Sequence, residues 1–218
     1  MKAISNIYLI WRKGRGHRRH IIGVLKRNAT EGVRFEYIRD NIALASEDGF
    51  APYVDFPDIE KVYKHNVIEI FGQRLFQAER TDRRRYYDFW ELNMTMVDDK
   101  YYMLAYTQGL LSTDNFEFLA DFHPIKELCF VSEITGLTER RISQDSVKVG
   151  DELKWVRESE NKIDKQAIQV YKGNILIGYV KIVHNRVFCK PSKERLRIVV
   201  KDVDQNGLIN RIFIRVFY

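Results

Sequence analysis

Cysteine is nearly missing: the 218-residue chain holds only Cys129 and Cys189, sixty positions apart and without a CxxC partner. That excludes a disulfide framework and a cysteine-built metal site, and both residues read as core thiols in a reducing cytoplasm. Long apolar runs are absent as well. No stretch approaches the roughly 18 residues that span a bilayer, so no membrane partner is expected. The N-terminus lacks a signal-peptide core, because Ile7–Trp11 is too short and runs into charge. Nor is there a tract rich in Gly, Ser, Pro or Gln that would favour disorder.

Catalytic signatures are missing too. The chain has no GxxxxGK[ST], HExxH or Gly-x-Ser-x-Gly, which leaves no phosphate loop, zinc-protease helix or nucleophile elbow. Asp58 followed far along by Asp98-Asp99-Lys100 is too loosely spaced for the acidic cluster of an Mg²⁺ nuclease. His65, His123 and His184 stand alone in the sequence. The expectation is a protein that is not an enzyme and needs no cofactor.

What the chain does have is an uneven charge. Residues 1–40 carry ten Lys or Arg against three acids, and residues 181–218 carry nine against three. The stretch between them holds 17 basic and 24 acidic residues, inside a formal net charge of +6. Two basic ends around an acidic middle steer a polyanion to one region, or else are solvated faces. The densest basic segment is Arg12-Lys13-Gly14-Arg15-Gly16-His17-Arg18-Arg19, between strands expected at 7–11 and 20–25. Its glycines let backbone approach a phosphate closely, and Arg12, Lys13, Arg15, Arg18 and Arg19 are candidate contacts. An ordinary exposed hairpin tip is the competing reading.

The first half mixes strand and helix. Val33–Ile38 alternates as a half-buried strand, a helix start is expected near Pro57-Asp58, and 63–71 and 83–93 are predicted helical from aromatic and apolar spacing. Residues 101–106 are apolar and expected buried. Residues 112–124 contain Asp114-Asn115 and His123-Pro124, and a domain boundary is expected at their end, giving domains 1–124 and 125–218. The second half reads as nearly all β: strands near 126–134, 152–156, 167–171, 175–180, 195–203 and 209–218, with a short helix from 182. Strands at this spacing fit a small barrel of the OB or SH3 type.

Within that half, residues 157–180 form a polar loop followed by a hairpin turning at Lys172-Gly173-Asn174. The order Arg157-Glu158, Asn161, Asp164, Ala167-Ile168, Gly178-Tyr179-Val180 resembles the signature of the HIRAN domain family. The resemblance covers roughly 125–190 and implies a small DNA-end-binding barrel, with Asp164 in the pocket of a strand's terminal nucleotide. Read from the residues alone, Asp164 and Asn161 equally suit loop capping. Two positions depart from the family pattern: Ile163 stands where an aromatic is usual, and Ser132-Glu133 where an Arg-Tyr pair is. Tyr179 is a candidate stacking platform, with Arg157, Lys181 and Arg186 as candidate phosphate contacts. The first half is similar to HipA N-terminal regions through Phe35-Glu36-Tyr37, Phe56-Pro57-Asp58 and Ile70–Leu75.

The last hairpin adds a second candidate surface. A loop with Gly207 left-handed in a bulge pairs odd positions with odd ones and keeps Ile198, Val200, Ile212, Ile214 and Val216 on one face. The other face then gathers Arg197, Lys201, Arg211 and Arg215, with Phe213 and Phe217 between. Arg197 is expected near Arg215, and Lys201 near Arg211. Like charges opposed across strands are unfavourable, which phosphates or the nearby Asp202, Asp204 and Glu194 would relieve.

The combined expectation is an α+β, mainly β, cytoplasmic protein: a HipA-N-like α+β domain followed by a HIRAN-type β-barrel. It would bind nucleic acid, DNA with single-stranded or end-containing character, as a recognition module in repair, mobile-element biology or phage defence. The alternative is a protein-interaction or antitoxin-like subunit of a HipA-type system.

Overall fold

A computed structural model describes residues 3–75, 83–137, 140, 142–143, 145–206 and 208–218. It is mainly β, with a few helices, and divides into two compact units, Ile4–Asp121 and one formed by Phe122–Tyr218 with the N-terminal end. Ala3 belongs to the second unit through its carbonyl, which accepts from the His123 N–H at 2.8 Å.

The first unit is built on a four-stranded sheet. Strands β1 (Ile4–Trp11), β2 (His20–Asn28), β3 (Gly32–Tyr37) and β4 (Phe116–Phe122) lie in the order β3-β2-β1-β4. Among the described residues four α-helices accompany it: α1 (Arg39–Glu47), α2 (Val67–Gly72), α3 (Arg83–Phe89) and α4 (Lys100–Thr107). Its core is aromatic. Phe35 meets Phe71, Phe56 and Tyr37 with ring centroids 4.8 to 5.3 Å apart, in the edge-on and tilted geometries that ring quadrupoles favour.

Several expectations change here. No helix begins at Pro57-Asp58; the Asp58 carboxylate accepts from the Glu60 N–H at 2.9 Å and closes a turn instead. Tyr63 is not helical, because it bridges Phe35 through two backbone hydrogen bonds of 2.8 and 2.9 Å. Helix α2 starts only after Asn66, whose φ of 54° is left-handed. Residues 112–124, at whose end a domain boundary is expected, contain β4, which is almost wholly buried. A strand covered on both sides carries no polar alternation to announce it.

The second unit is a closed barrel. Its strands are β5 (Cys129–Thr135), β6 (Glu152–Arg157), β7 (Ile168–Lys172), β8 (Ile175–Val180), β9 (Arg197–Asn206) and β10 (Leu208–Phe217). They close in the order β10-β5-β8-β7-β6-β9, and every pairing is antiparallel. Phe130, Ile134, Leu153, Ile168, Val170, Ile177, Ile198, Val200, Ile212, Ile214 and Val216 fill it. The expected short helix is a 3-10 turn, His184–Cys189, and its Val187 and Phe188 complete the core. Closure gives each of these described strands a neighbour on both sides. Gly178 permits the β5–β8 seam: a Cβ there would lie 2.3 Å from the Thr135 carbonyl oxygen.

Candidate functional site

The outer face of β9 and β10 is set by register. Near the base of the hairpin Phe217 faces Arg197 and Arg215 faces Val199, odd with odd as predicted. Two bulges interrupt that pattern. Asn210 is extra on β10, Lys201 is extra on β9, and between them Arg211 faces Asp204 and Phe213 faces Asp202. Lys201 is therefore not opposed to Arg211, and Arg197 faces Phe217 rather than Arg215, because Asn206 already pairs with Leu208 at the tip and sets the whole hairpin two residues away from the expected register. Gly207, the expected left-handed residue, lies outside the described residues.

Guanidiniums and rings alternate along this face. Arg197 and Arg215 both lie over the Phe217 ring, at 5.6 and 4.8 Å from its centroid. Arg211 lies over Phe213 at 4.6 Å, and Arg195 over Tyr218 at 5.6 Å. Arg195 and Arg197 are exposed, whereas Arg211, Phe213, Arg215, Phe217 and Tyr218 are half-buried. Each exposed cation–π contact contributes about 0.5–1 kcal/mol, enough to hold an otherwise mobile side chain in one orientation.

The expected like-charge stress is relieved by carboxylates on neighbouring strands. Arg197 donates to both oxygens of Glu152, at 3.0 and 3.1 Å. That hydrogen bond and charge hold the Glu152 carboxyl below its ordinary pKa. Both partners are more than half exposed, so the pair exchanges readily for another anion. Arg211 Nε donates to Glu133 Oε1 at 2.9 Å, and Arg215 Nε to Cys129 Sγ at 3.3 Å.

Glu133 also faces Lys181, whose Nζ is 3.5 Å from Oε2. Lys181 is 1 % exposed, so it is not the surface phosphate contact expected from the sequence; its ammonium belongs to an internal Lys181–Glu133–Arg211 network. The neighbouring Val183 has a φ of 70°, unusual for a β-branched residue, at the turn from β8 into the 3-10 helix.

The signature loop is held by its own polar groups. Asn161 Oδ1 accepts from the Ile163 and Asp164 N–H groups at 2.9 Å, and its amide donates to Glu158 Oε2 at 2.7 Å. Asp164 Oδ1 accepts from the Gln166 N–H at 2.8 Å, while Oδ2 accepts from Asn185 Nδ2 at 2.6 Å. Both Asp164 oxygens thus have protein donors, and Ile163 beside it is 81 % exposed. Tyr179 is half-buried beneath the Arg140 guanidinium, 5.5 Å from its centroid. Arg157 is exposed, with Nη2 donating to the Lys165 carbonyl at 3.3 Å, and Arg186 is half-buried.

In the first unit, Lys13, Arg15 and Arg18 are exposed and Arg12 and Arg19 are partly covered. Arg19 Nε donates to Glu117 at 2.5 Å. Arg195, Tyr218, Arg140 and Asn185 were not singled out by the sequence. Their roles come from contacts with residues far away in the chain, Arg195 with Tyr218, Arg140 with Tyr179 and Asn185 with Asp164, and no local motif announces that.

No family model matches the chain, and no curated protein matches it. Among solved structures it is similar to the HIRAN domain of human HLTF, at 18% identity and a TM-score of 0.32, over 40% of this chain and 74% of that one. It is also similar to a protein from Lactobacillus plantarum, at 21% identity and a TM-score of 0.31, over 40% of this chain and 92% of that one.

Proposed function

We propose that the chain is a non-catalytic nucleic-acid-binding protein whose barrel engages the ligand through the outer face of β9 and β10. The observation that carries this reading is the row of guanidinium–ring pairs, with Phe217 flanked by Arg197 and Arg215. Guanidinium forks match phosphate oxygens bidentately. Arginine planes and aromatic rings both stack on unpaired bases, an interaction that tolerates any sequence. The fixed guanidiniums lower the ordering cost of binding.

The signature residues 157–180 add DNA with a single-stranded stretch or free end as the preferred ligand, and a recruiting role in repair, mobile-element biology or phage defence. In that reading Asp164 would have to exchange its Asn185 contact for a sugar hydroxyl. The alternative is an interaction subunit of a HipA-type system. It predicts a stoichiometric protein partner on purification, rather than nucleic acid that nuclease removes.

The test is fluorescence anisotropy of a labelled single strand with the full chain. Replacing Phe217 by Ala removes one stacking platform and should weaken binding by about 1–3 kcal/mol. Arg195→Ala with Arg197→Ala should weaken it further at low salt and flatten the salt dependence. Unchanged affinity in both variants would remove this face from the interface.

A further inference from the structure

We infer that Glu152 is a built-in stand-in for the ligand's phosphate: it occupies the Arg197 fork in the free protein and leaves it when a strand binds, so it sets the affinity of the barrel face. This rests on the nucleic-acid reading of β9 and β10. Strand pairing puts the two side chains within reach. Glu152 pairs with Val199 across β6 and β9, and Leu153 pairs with Ile198. Arg197, two residues from Val199, is therefore the diagonal neighbour of Glu152 on the same outer face. The contact is a fork, with Arg197 Nε donating to Oε1 at 3.0 Å and Nη2 to Oε2 at 3.1 Å. A phosphate presents two oxygens to a guanidinium in the same planar arrangement.

Both partners are anchored independently of each other. On the carboxylate side, the Gly150 N–H donates to the Val200 carbonyl and the Val200 N–H to the Asp151 carbonyl, both at 2.9 Å. Asp151 is itself tied down: its Oδ2 accepts from the Lys148 N–H at 2.8 Å, and its Oδ1 lies 2.5 Å from Lys172 Nζ. On the guanidinium side, Arg197 faces Phe217 across β9 and β10 and lies 5.6 Å from its ring centroid. Loss of the carboxylate contact therefore leaves Arg197 held over the ring and able to receive another anion.

Glu133, the other carboxylate paired on this face, is not exchangeable in this way. Its side chain is 13 % exposed and is shared by Arg211 and Lys181, so drawing it away would strand a buried ammonium. The Glu152 side chain is 60 % exposed, and among the described residues Arg197 is its one partner. Water reaches both groups of that pair, and an exposed pair is held weakly. The exchange thus falls on the one fork that flanks Phe217 in company with an exposed acid, while Arg211 keeps its internal anion throughout.

The test measures binding of a labelled oligothymidine of about 40 nucleotides across a salt series. The full chain is compared with Glu152→Gln, Arg197→Ala and the double variant. Glu152→Gln should tighten binding about two- to fivefold at low salt, the range an exposed ion pair commands. It should also steepen the log–log salt slope by about 0.7, because Arg197 then neutralises one phosphate more. Arg197→Ala should weaken the Glu152→Gln chain more than it weakens the wild type. Asp202→Asn removes an exposed carboxylate opposite Phe213 on the same face, and should tighten binding less than Glu152→Gln does. Equal tightening in those two variants, with Arg197→Ala costing the same in both backgrounds, would reduce Glu152 to a general repulsive charge and overturn the exchange. Unchanged binding in Glu152→Gln, with Phe217→Ala still weakened, would overturn it and leave the barrel reading standing. A wild-type chain that binds no strand at low salt would overturn both.

Discussion

At the residue scale, Glu133 carries more consequence than the cations around it. It is the shared anion of buried Lys181 and half-buried Arg211. Glu133→Gln should destabilise the barrel by about 3–5 kcal/mol in urea unfolding, because it leaves a buried ammonium facing a neutral amide. Lys181→Met should cost far less, since Glu133 keeps Arg211 and the aliphatic stem is replaced in kind. Equal losses in the two variants would contradict that ordering. None of this was legible beforehand. From the sequence, Glu133 is a departure from a family pattern and Lys181 a candidate phosphate contact, since ion pairs between residues far apart in the chain leave no trace in local spacing. Asn161 and Asp164 were legible, because an Asx side chain two or three residues before the N–H it caps is a local relation.

At the element scale, α4 depends on one carboxylate with two tasks. Asp99 Oδ1 accepts from the Tyr101 and Tyr102 N–H groups at 2.9 and 3.2 Å, and Oδ2 receives Arg27 at 2.5 Å. Partial burial raises its pKa, the Arg27 hydrogen bond and the two capping donors lower it, and the balance falls below the ordinary aspartate range. A depressed folded-state pKa means the contribution is present above pH 4 or so and is lost as pH falls through the folded value. Asp99→Ala should therefore cost about 0.5–2 kcal/mol at neutral pH. In chemical unfolding the difference from wild type should shrink steadily in acid below pH 4; a difference independent of pH would contradict it.

Legibility among the elements follows locality. The β7–β8 hairpin was readable because its turn and both strands lie within a dozen residues. Strand β4 was missed because it is buried on both faces, and the β9–β10 pairing was missed because a shift of two residues leaves the hydrophobic alternation unchanged, so only the odd-with-odd parity was legible. At the β5–β8 seam, Gly178→Ala should unfold the barrel at lower denaturant, as the new methyl meets the Thr135 carbonyl.

At the scale of the whole molecule, the uneven charge along the chain becomes two basic surfaces, one in each compact unit. The barrel face is partly self-neutralised by Glu152 and Glu133, and in the β1–β2 loop Arg19 is paired with Glu117. Binding to a polyanion should accordingly be salt-sensitive, with base stacking on the barrel face. The most direct measurement is titration of a labelled single strand with the full chain at low and moderate salt. The expected result is binding at low salt that weakens steeply as salt rises and weakens again in Phe217→Ala. No binding at low salt would contradict the assignment of the barrel face to nucleic acid.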